Sequence, residues 1–290
     1  MSARRAETGD KTWSKAKAIS LMLRLVSWGS AIITFVILFL IIGYILVKGI
    51  PYLRPSLFEL DYNTENVSLL PAALTTLMCV GLSLIIAAPL GIFAAIYLVE
   101  YAPRGSRLVK AVRMMAETLS GIPSIIYGLF GSLFFVIWLG WGLSLLAGSC
   151  TLAIMILPLI MRSTEESLKS VPDSFREGAF GLGAGRLRTV FRIVLPAAAP
   201  GILAGILLGV GRIVGETAAL IYTAGSMAQI PTTPMASGRT LSIHMYALSS
   251  QGLYTGQAYA TAVVLLVLVI GINALSSLIA KRLTGRWNDG

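Results

Sequence analysis

Long charge-free runs govern what this chain can become. They extend from Leu25 to Val47, Asn66 to Val99, Thr118 to Met161, Ala197 to Gly211 and Thr217 to Gly238, and a last one ends at Ala280 with only His244 near its start. Crossing a bilayer core of about 30 Å takes about 20 apolar residues at a helical rise of about 1.5 Å. Several runs meet that length, so lipid is the solvent for most of the chain. The composition agrees: 56% of the 290 residues are hydrophobic and 12% charged, about half the charged share of a soluble domain. The fold class that follows is an all-α integral membrane protein.

Six crossings can be cut from these runs. The first is an anchor over residues 25–47, too long for a signal-peptide core of about 7 to 15 residues. The second runs from about Leu74 to Tyr97, with a kink or break expected at Pro89. The 44 residues from Thr118 to Met161 suit two crossings joined by a turn at Gly140-Trp141-Gly142. The fifth spans about Ala197 to Thr223 and the sixth about Tyr259 to Ala280. Along the fifth, Gly201, Gly205 and Gly209 offer a smooth side for close packing, which suggests a central place in the bundle.

Lysine and arginine set the orientation. Nineteen fall in four segments on one side (residues 1–24, 100–117, 162–196 and the tail), and three, Lys48, Arg54 and Arg239, fall on the other. By the positive-inside rule both termini are cytoplasmic. The organisation is thus a basic N-terminal segment (1–24), an anchor (25–47), a transmembrane domain (70–282) with a cytoplasmic loop (162–196), and a tail (283–290). The first ~20 residues are polar enough to be disordered. This topology accounts for the net charge of +10 without nucleic acid, because the basic residues lie between apolar runs and form no patch. Cys79 and Cys150 stand alone in apolar runs, so they read as packing residues and no metal site is expected.

The loop at 162–196 has its own pattern. Thr164 to Val171 has helical composition and must stop before Pro172. Ser174 and Glu177 are spaced as a capping box, so a short helix is expected from Phe175 to about Leu182, ended by Gly181, Gly183 and Gly185. A basic amphipathic segment, Arg186 to Leu195, then returns the chain to the membrane at Pro196. A capped helix outside the bilayer is a projecting knob, or simply an ordinary connector.

These residues resemble the ABC-importer permease signature E-A-A-x3-G-x9-I-x-L-P. Glu177, Ala179, Gly183, Ile193, Leu195 and Pro196 match it, and Gly178 stands where the first alanine would be. The resemblance implies a type I importer permease whose short helix docks on a separate cytoplasmic ATPase, with Glu177 and Gly183 as coupling residues. The sequence has no G-x4-G-K-[ST] phosphate loop of its own, so ATP and Mg would be handled by the partner, and no cofactor is assigned to this chain.

Arg212 and Glu216 are the charged residues placed within a span. An arginine at mid-bilayer costs about 2.5 to 3.5 kcal/mol on insertion scales, so it needs a partner or a wet cavity. A spacing of four would put Glu216 one helical turn away on the same face. Two readings stand side by side: a structural ion pair, and a way-station or gate for an anion, with Thr217 beside it.

The stretches Pro89 to Tyr101, Ile122 to Phe130 and Gly211 to Leu220, with Leu241-Ser-Ile-His-Met-Tyr246, resemble the membrane subunits of the phosphate-specific importer, PstA type, over roughly residues 70–280. That likeness implies a second, homologous PstC-type permease subunit, a PstB-type ATPase dimer and a PstS-type extracytoplasmic phosphate-binding protein. Sulfate and molybdate importers are the nearest competing reading. A secondary transporter would not need the loop signature. An enzyme would need a nucleophile with its base or metal ligands, and no catalytic set is visible. His244 reads as an outside-loop residue, and 225–258 either faces the binding protein or is a solvated loop.

Overall fold

In lipid a single segment can satisfy its own backbone polar groups only as a helix, and the long apolar runs have folded as helices, except Thr217–Gly238, where only Ala218–Ile221 is helical. The computed structural model describes residues 3–103, 105–252 and 254–288. In chain order the helices are α1 (Ala3–Gly49), α2 (Leu70–Ile96), α3 (Arg107–Ser120), α4 (Ser124–Gly131), α5 (Leu145–Ser170), α6 (Asp173–Gly181), α7 (Arg186–Thr189), α8 (Leu195–Val214), α9 (Ala218–Ile221), α10 (Leu241–Gln251) and α11 (Thr255–Asn288). Wider π-helical turns extend α2 through Tyr97–Tyr101 and α4 through Ser132–Trp138, and join α7 to α8 through Val190–Val194.

Five helices are long and apolar enough to cross a membrane: Ser20–Tyr52, Leu70–Tyr101, Leu145–Ser170, Arg186–Val214 and Thr255–Leu275. The pair Arg107–Ser120 and Ser124–Trp138, bent by 101°, passes the same test jointly, as a broken sixth span or a re-entrant loop. The turn expected between the third and fourth crossings is present. Gly140 and Gly142 have φ of 68° and 65°, a left-handed backbone that glycine adopts without steric cost.

Several expected boundaries shift. α1 begins at Ala3, so helix replaces the disorder expected before the anchor; this stretch holds Ala, Arg, Glu and Lys, and no proline to stop the helix. Pro89 lies inside α2, which continues through it. The helix expected from Thr164 is the end of α5 and stops at Ser170. The basic segment from Arg186 is continuous with the fifth crossing. The tail is helical to Asn288, and residues 1, 2, 289 and 290 lie outside the described ones. Two elements went unforeseen. α3 is an amphipathic helix in the basic 100–117 segment, and α10 lies in the stretch read as an outer loop.

The centre of the bundle is α5, not the fifth crossing. Two-thirds (67%) of the apolar window of α5 is buried, against 33% for Arg186–Val214 and 0% for α1. Small residues around α5 (Ala147, Gly148, Ser149, Ala153) let neighbours approach from several sides. The Gly201 and Gly205 stripe of α8 does pack closely, against Ser167 and Ser163 of α5, where a Cβ would collide with the hydroxyls. One apolar cluster joins α2, α5, α8, α9 and α10 through Cys79, Leu152, Ile156, Ile213, Leu220 and Ile243. Cys79 is buried and Cys150 half-buried, both as free thiols. A second cluster packs the basic end through Ile96, Val109, Met161, Leu168 and Val194.

Candidate functional site

Two places gather the residues singled out by sequence. The first is α6, held between α5 and α7 outside the spans. It starts at Asp173, with Pro172 as its N-cap and no side-chain hydrogen bond to the cap. The Ser174–Glu177 capping box is therefore not formed, because the helix begins two residues too early for Ser174 to serve as the cap. Glu177 is exposed and Ala179 is buried. Gly183 has φ of 80°, and its N–H donates to Phe180 O at 2.9 Å, closing the helix end. A left-handed residue here is the physical need for glycine at that signature position. Ile193, Leu195 and Pro196 lie half-buried in the continuous helix that follows. Phe175, Phe180, Leu182 and Leu187 are exposed around α6, with Leu182 at 91%. An exposed apolar surface of this kind has the character of a protein-contact surface.

The inner side of α6 is anchored by a residue that sequence reasoning passed over. Arg176 Nη2 and Nε donate to Glu100 Oε1 at 2.7 and 3.1 Å, linking α6 to the end of the second crossing. No local signal pairs them, since 76 residues separate the two. Close by, the buried Glu165 accepts from Arg113 of α3 and Lys169 of α5, both at 2.5 Å.

The second place is the end of the fifth crossing. α8 stops at Val214, Gly215 is its C-cap, and residues 215–217 are non-helical before α9. The expected Arg212–Glu216 pair is therefore corrected: the helix ends before Glu216, and among the described residues no ion pair joins the two. Glu216 is buried, and its Oε1 accepts the Ala219 N–H at 3.1 Å, capping α9 instead. Its backbone oxygen accepts the Ser242 hydroxyl at 2.6 Å. Arg212 is half-buried, within electrostatic reach of Tyr127 on α4. Thr217 lines a cavity of about 460 Å³ with Ser242, Tyr246, Tyr259 and Ile45. The break sits inside the bundle, because α9 packs on α4 where Gly128 admits Ala219; a Cβ on Gly128 would lie 2.7 Å from the Ala219 Cα.

His244 is not a loop residue. It sits in α10, fully buried beside Tyr62, whose ring also carries the Arg239 guanidinium at 4.4 Å. Both His244 ring nitrogens, and Arg239 Nε and Nη2, are buried without hydrogen-bond partners. Burial first, and the Arg239 cation second, pull the His244 pKa down to about 3, so the ring stays neutral at ordinary pH. Among the described residues no group of His, Cys, Asp and Glu could hold a metal ion.

Comparison with known proteins agrees with this geometry. The family described as "Binding-protein-dependent transport system inner membrane component" matches residues 87–285. The phosphate transport system permease protein PstA of Haemophilus influenzae is 35% identical over 89% of this chain and 92% of its own length. A probable ABC transporter permease, YqgI of Bacillus subtilis, is 34% identical over 70% of this chain and 76% of its own. The Mycobacterium leprae PstA is 37% identical over 65% of this chain and 62% of its own. Among solved structures, a bacterial ABC transporter that imports the acidic polysaccharide alginate covers 89% of this chain and 96% of its own, with a TM-score of 0.65 at 19% identity. The MetNI methionine ABC transporter, in an inward-facing form, covers 83% of this chain and 97% of its own, with a TM-score of 0.59 at 19% identity; these two likenesses bear on fold. With five to six candidate crossings, a knob outside them and a family match over most of its length, the chain belongs to the binding-protein-dependent transport system inner membrane components, as a multi-pass inner-membrane ABC importer permease that is not itself the ATPase.

Proposed function

We propose that this chain forms part of the pore of an importer for inorganic phosphate, driven by a separate ATPase that docks on α6. The observation that carries the substrate is the near end-to-end match to a relative named as a phosphate permease, 35% identical over 89% of this chain. The exposed Phe175, Phe180 and Leu182 around Glu177 support the docking. An extracytoplasmic binding protein, delivering the ion to the outer mouth, and a second permease subunit of the same family complete the pore.

The pathway runs past the break at 215–217. Non-helical backbone at membrane depth is tolerated where it is buried in protein or lines a water-filled cavity. Thr217 lines a cavity, and Arg212, in the last turn of α8, supplies a cation that attracts an oxyanion. Glu216 keeps the break shaped by capping α9. Uptake of labelled phosphate into proteoliposomes holding the whole complex tests this reading. Arg212→Gln and Glu216→Gln should each lower uptake; wild-type uptake with both removes the break from the pathway. A complex that moves sulfate but not phosphate overturns the substrate.

A further inference from the structure

Resting on the docking reading above, we infer that Arg176 is a positioning residue that makes α6 a rigid extension of α2 and α5, so that displacement of the docked helix moves both crossings together. All five N–H donors of its guanidinium are engaged. Nε and Nη2 hold the Glu100 carboxylate, Nη2 also donates to Leu168 O at 2.9 Å, and Nη1 donates to Val171 O at 2.8 Å and Asp173 Oδ1 at 3.2 Å. Three elements meet on one side chain: the π-helical end of the second crossing, the last turn of α5 with its linker, and the first turn of α6.

The burial and chemistry make this link stiff. The Arg176 and Glu100 side chains are 14% and 9% exposed, so water does not compete strongly for the pair. The Leu168 carbonyl, in the last turn of α5, has no intrahelical partner, and Arg176 satisfies it. A planar five-donor fork holds several acceptors in fixed directions, whereas a lysine ammonium swivels on a flexible stem. Arg176 lies directly before Glu177, which is exposed. The docking residue and the anchoring residue are therefore neighbours on the same short helix.

At its other end α2 reaches the break. The Thr76 hydroxyl accepts the Leu241 N–H at 2.9 Å, and Ser242, the next residue of α10, donates to Glu216 O. α2 therefore connects the clamp at Glu100 with the segment that shapes residues 215–217, and a rigid clamp carries a push on α6 along that helix. A loose clamp lets α6 pivot about residues 171–172, and the push is spent there.

The test uses the full complex of permease pair and ATPase in proteoliposomes, with ATP hydrolysed and labelled phosphate moved measured together. Arg176→Lys keeps the charge and loses the fork; Glu100→Gln keeps the shape and loses the charge. Both variants should retain the ATPase and hydrolyse ATP within about twofold of wild type, while phosphate moved per ATP falls by about tenfold. An unchanged ratio in both variants overturns the inference. So does loss of the ATPase from both purified variants, which makes the pair a folding element only. If the unsubstituted complex itself holds no ATPase, the docking reading fails first, and that result is visible before any variant is made.

Discussion

The basic and outer ends of this permease are held together by different chemistry. At the basic end every ion pair among the described residues is found: Arg113 and Lys169 with Glu165, Arg162 with Glu117 and Glu166, and Arg176 with Glu100 and Asp173. The outer end is joined by neutral or singly charged contacts. Asn66 Nδ2 donates to Glu59 Oε2 at 2.8 Å, Thr76 takes the Leu241 N–H, the Tyr254 hydroxyl donates to Thr64 O at 3.2 Å, and Arg239 lies over Tyr62. The buried carboxylates Glu165 and Glu100, each held by more than one N–H donor, leave few alternative geometries, which suits the docking proposed for this end. Neutral hydrogen bonds, each worth about 1 kcal/mol net, can be exchanged for water, which suits an end that meets substrate.

The comparison breaks most visibly at Glu165. Removing both Arg113 and Lys169 as alanines strands a buried carboxylate, and thermal unfolding in detergent should show a loss of about 3 kcal/mol. Adding Glu165→Leu to that double variant should restore most of it; a triple variant no better than the double would show that packing, not charge, holds α3 on α5. At the outer end the sign with pH is set by His244. Its folded pKa of about 3 lies below the ordinary value of 6.5, so the unfolded chain binds the proton first as pH falls. Stability from this residue is complete above about pH 6.5 and drops by about 1.4 kcal/mol per unit toward about pH 3. His244→Leu should flatten that part of the pH profile, and an unaltered slope would refute the buried neutral ring. Thr76→Val removes two neutral hydrogen bonds, the one from Leu241 N–H and the hydroxyl's own to Ala72 O at 2.7 Å, and should cost about 2 kcal/mol, with little dependence on salt. Arg162→Gln is the smallest change: its pairs with Glu117 and Glu166 are solvent-exposed, so unfolding should shift by less than about 0.5 kcal/mol.

Some of this was legible in the residues and some was not. The glycines at 140 and 142, the stop before Pro172 and the closing Gly183 are local statements about backbone freedom, and each turn stands where it was expected. The Arg212–Glu216 pair is absent because a spacing of four brings two side chains together only on a continuous helix, whereas Gly215 ends α8 and Glu216 turns to the Ala219 N–H. α10 escaped notice because its run, Leu241–Gln251, is too short to span and carries His244. The histidine looked like a sign of solvent. Only burial under Tyr62 shows otherwise.

Hydrophobic run length, the side on which lysines and arginines gather, and the Glu177 to Pro196 spacing determined a multi-crossing permease with a short helix outside the spans. These are properties of short stretches, because the bilayer tests each segment against lipid on its own. The tertiary structure alone decided which charges meet. Arg176 finds Glu100 across 76 residues, α5 occupies the centre, and the fifth crossing breaks where α9 docks on Gly128. Such pairings depend on how whole helices are arranged around one another, and no local run of residues records that.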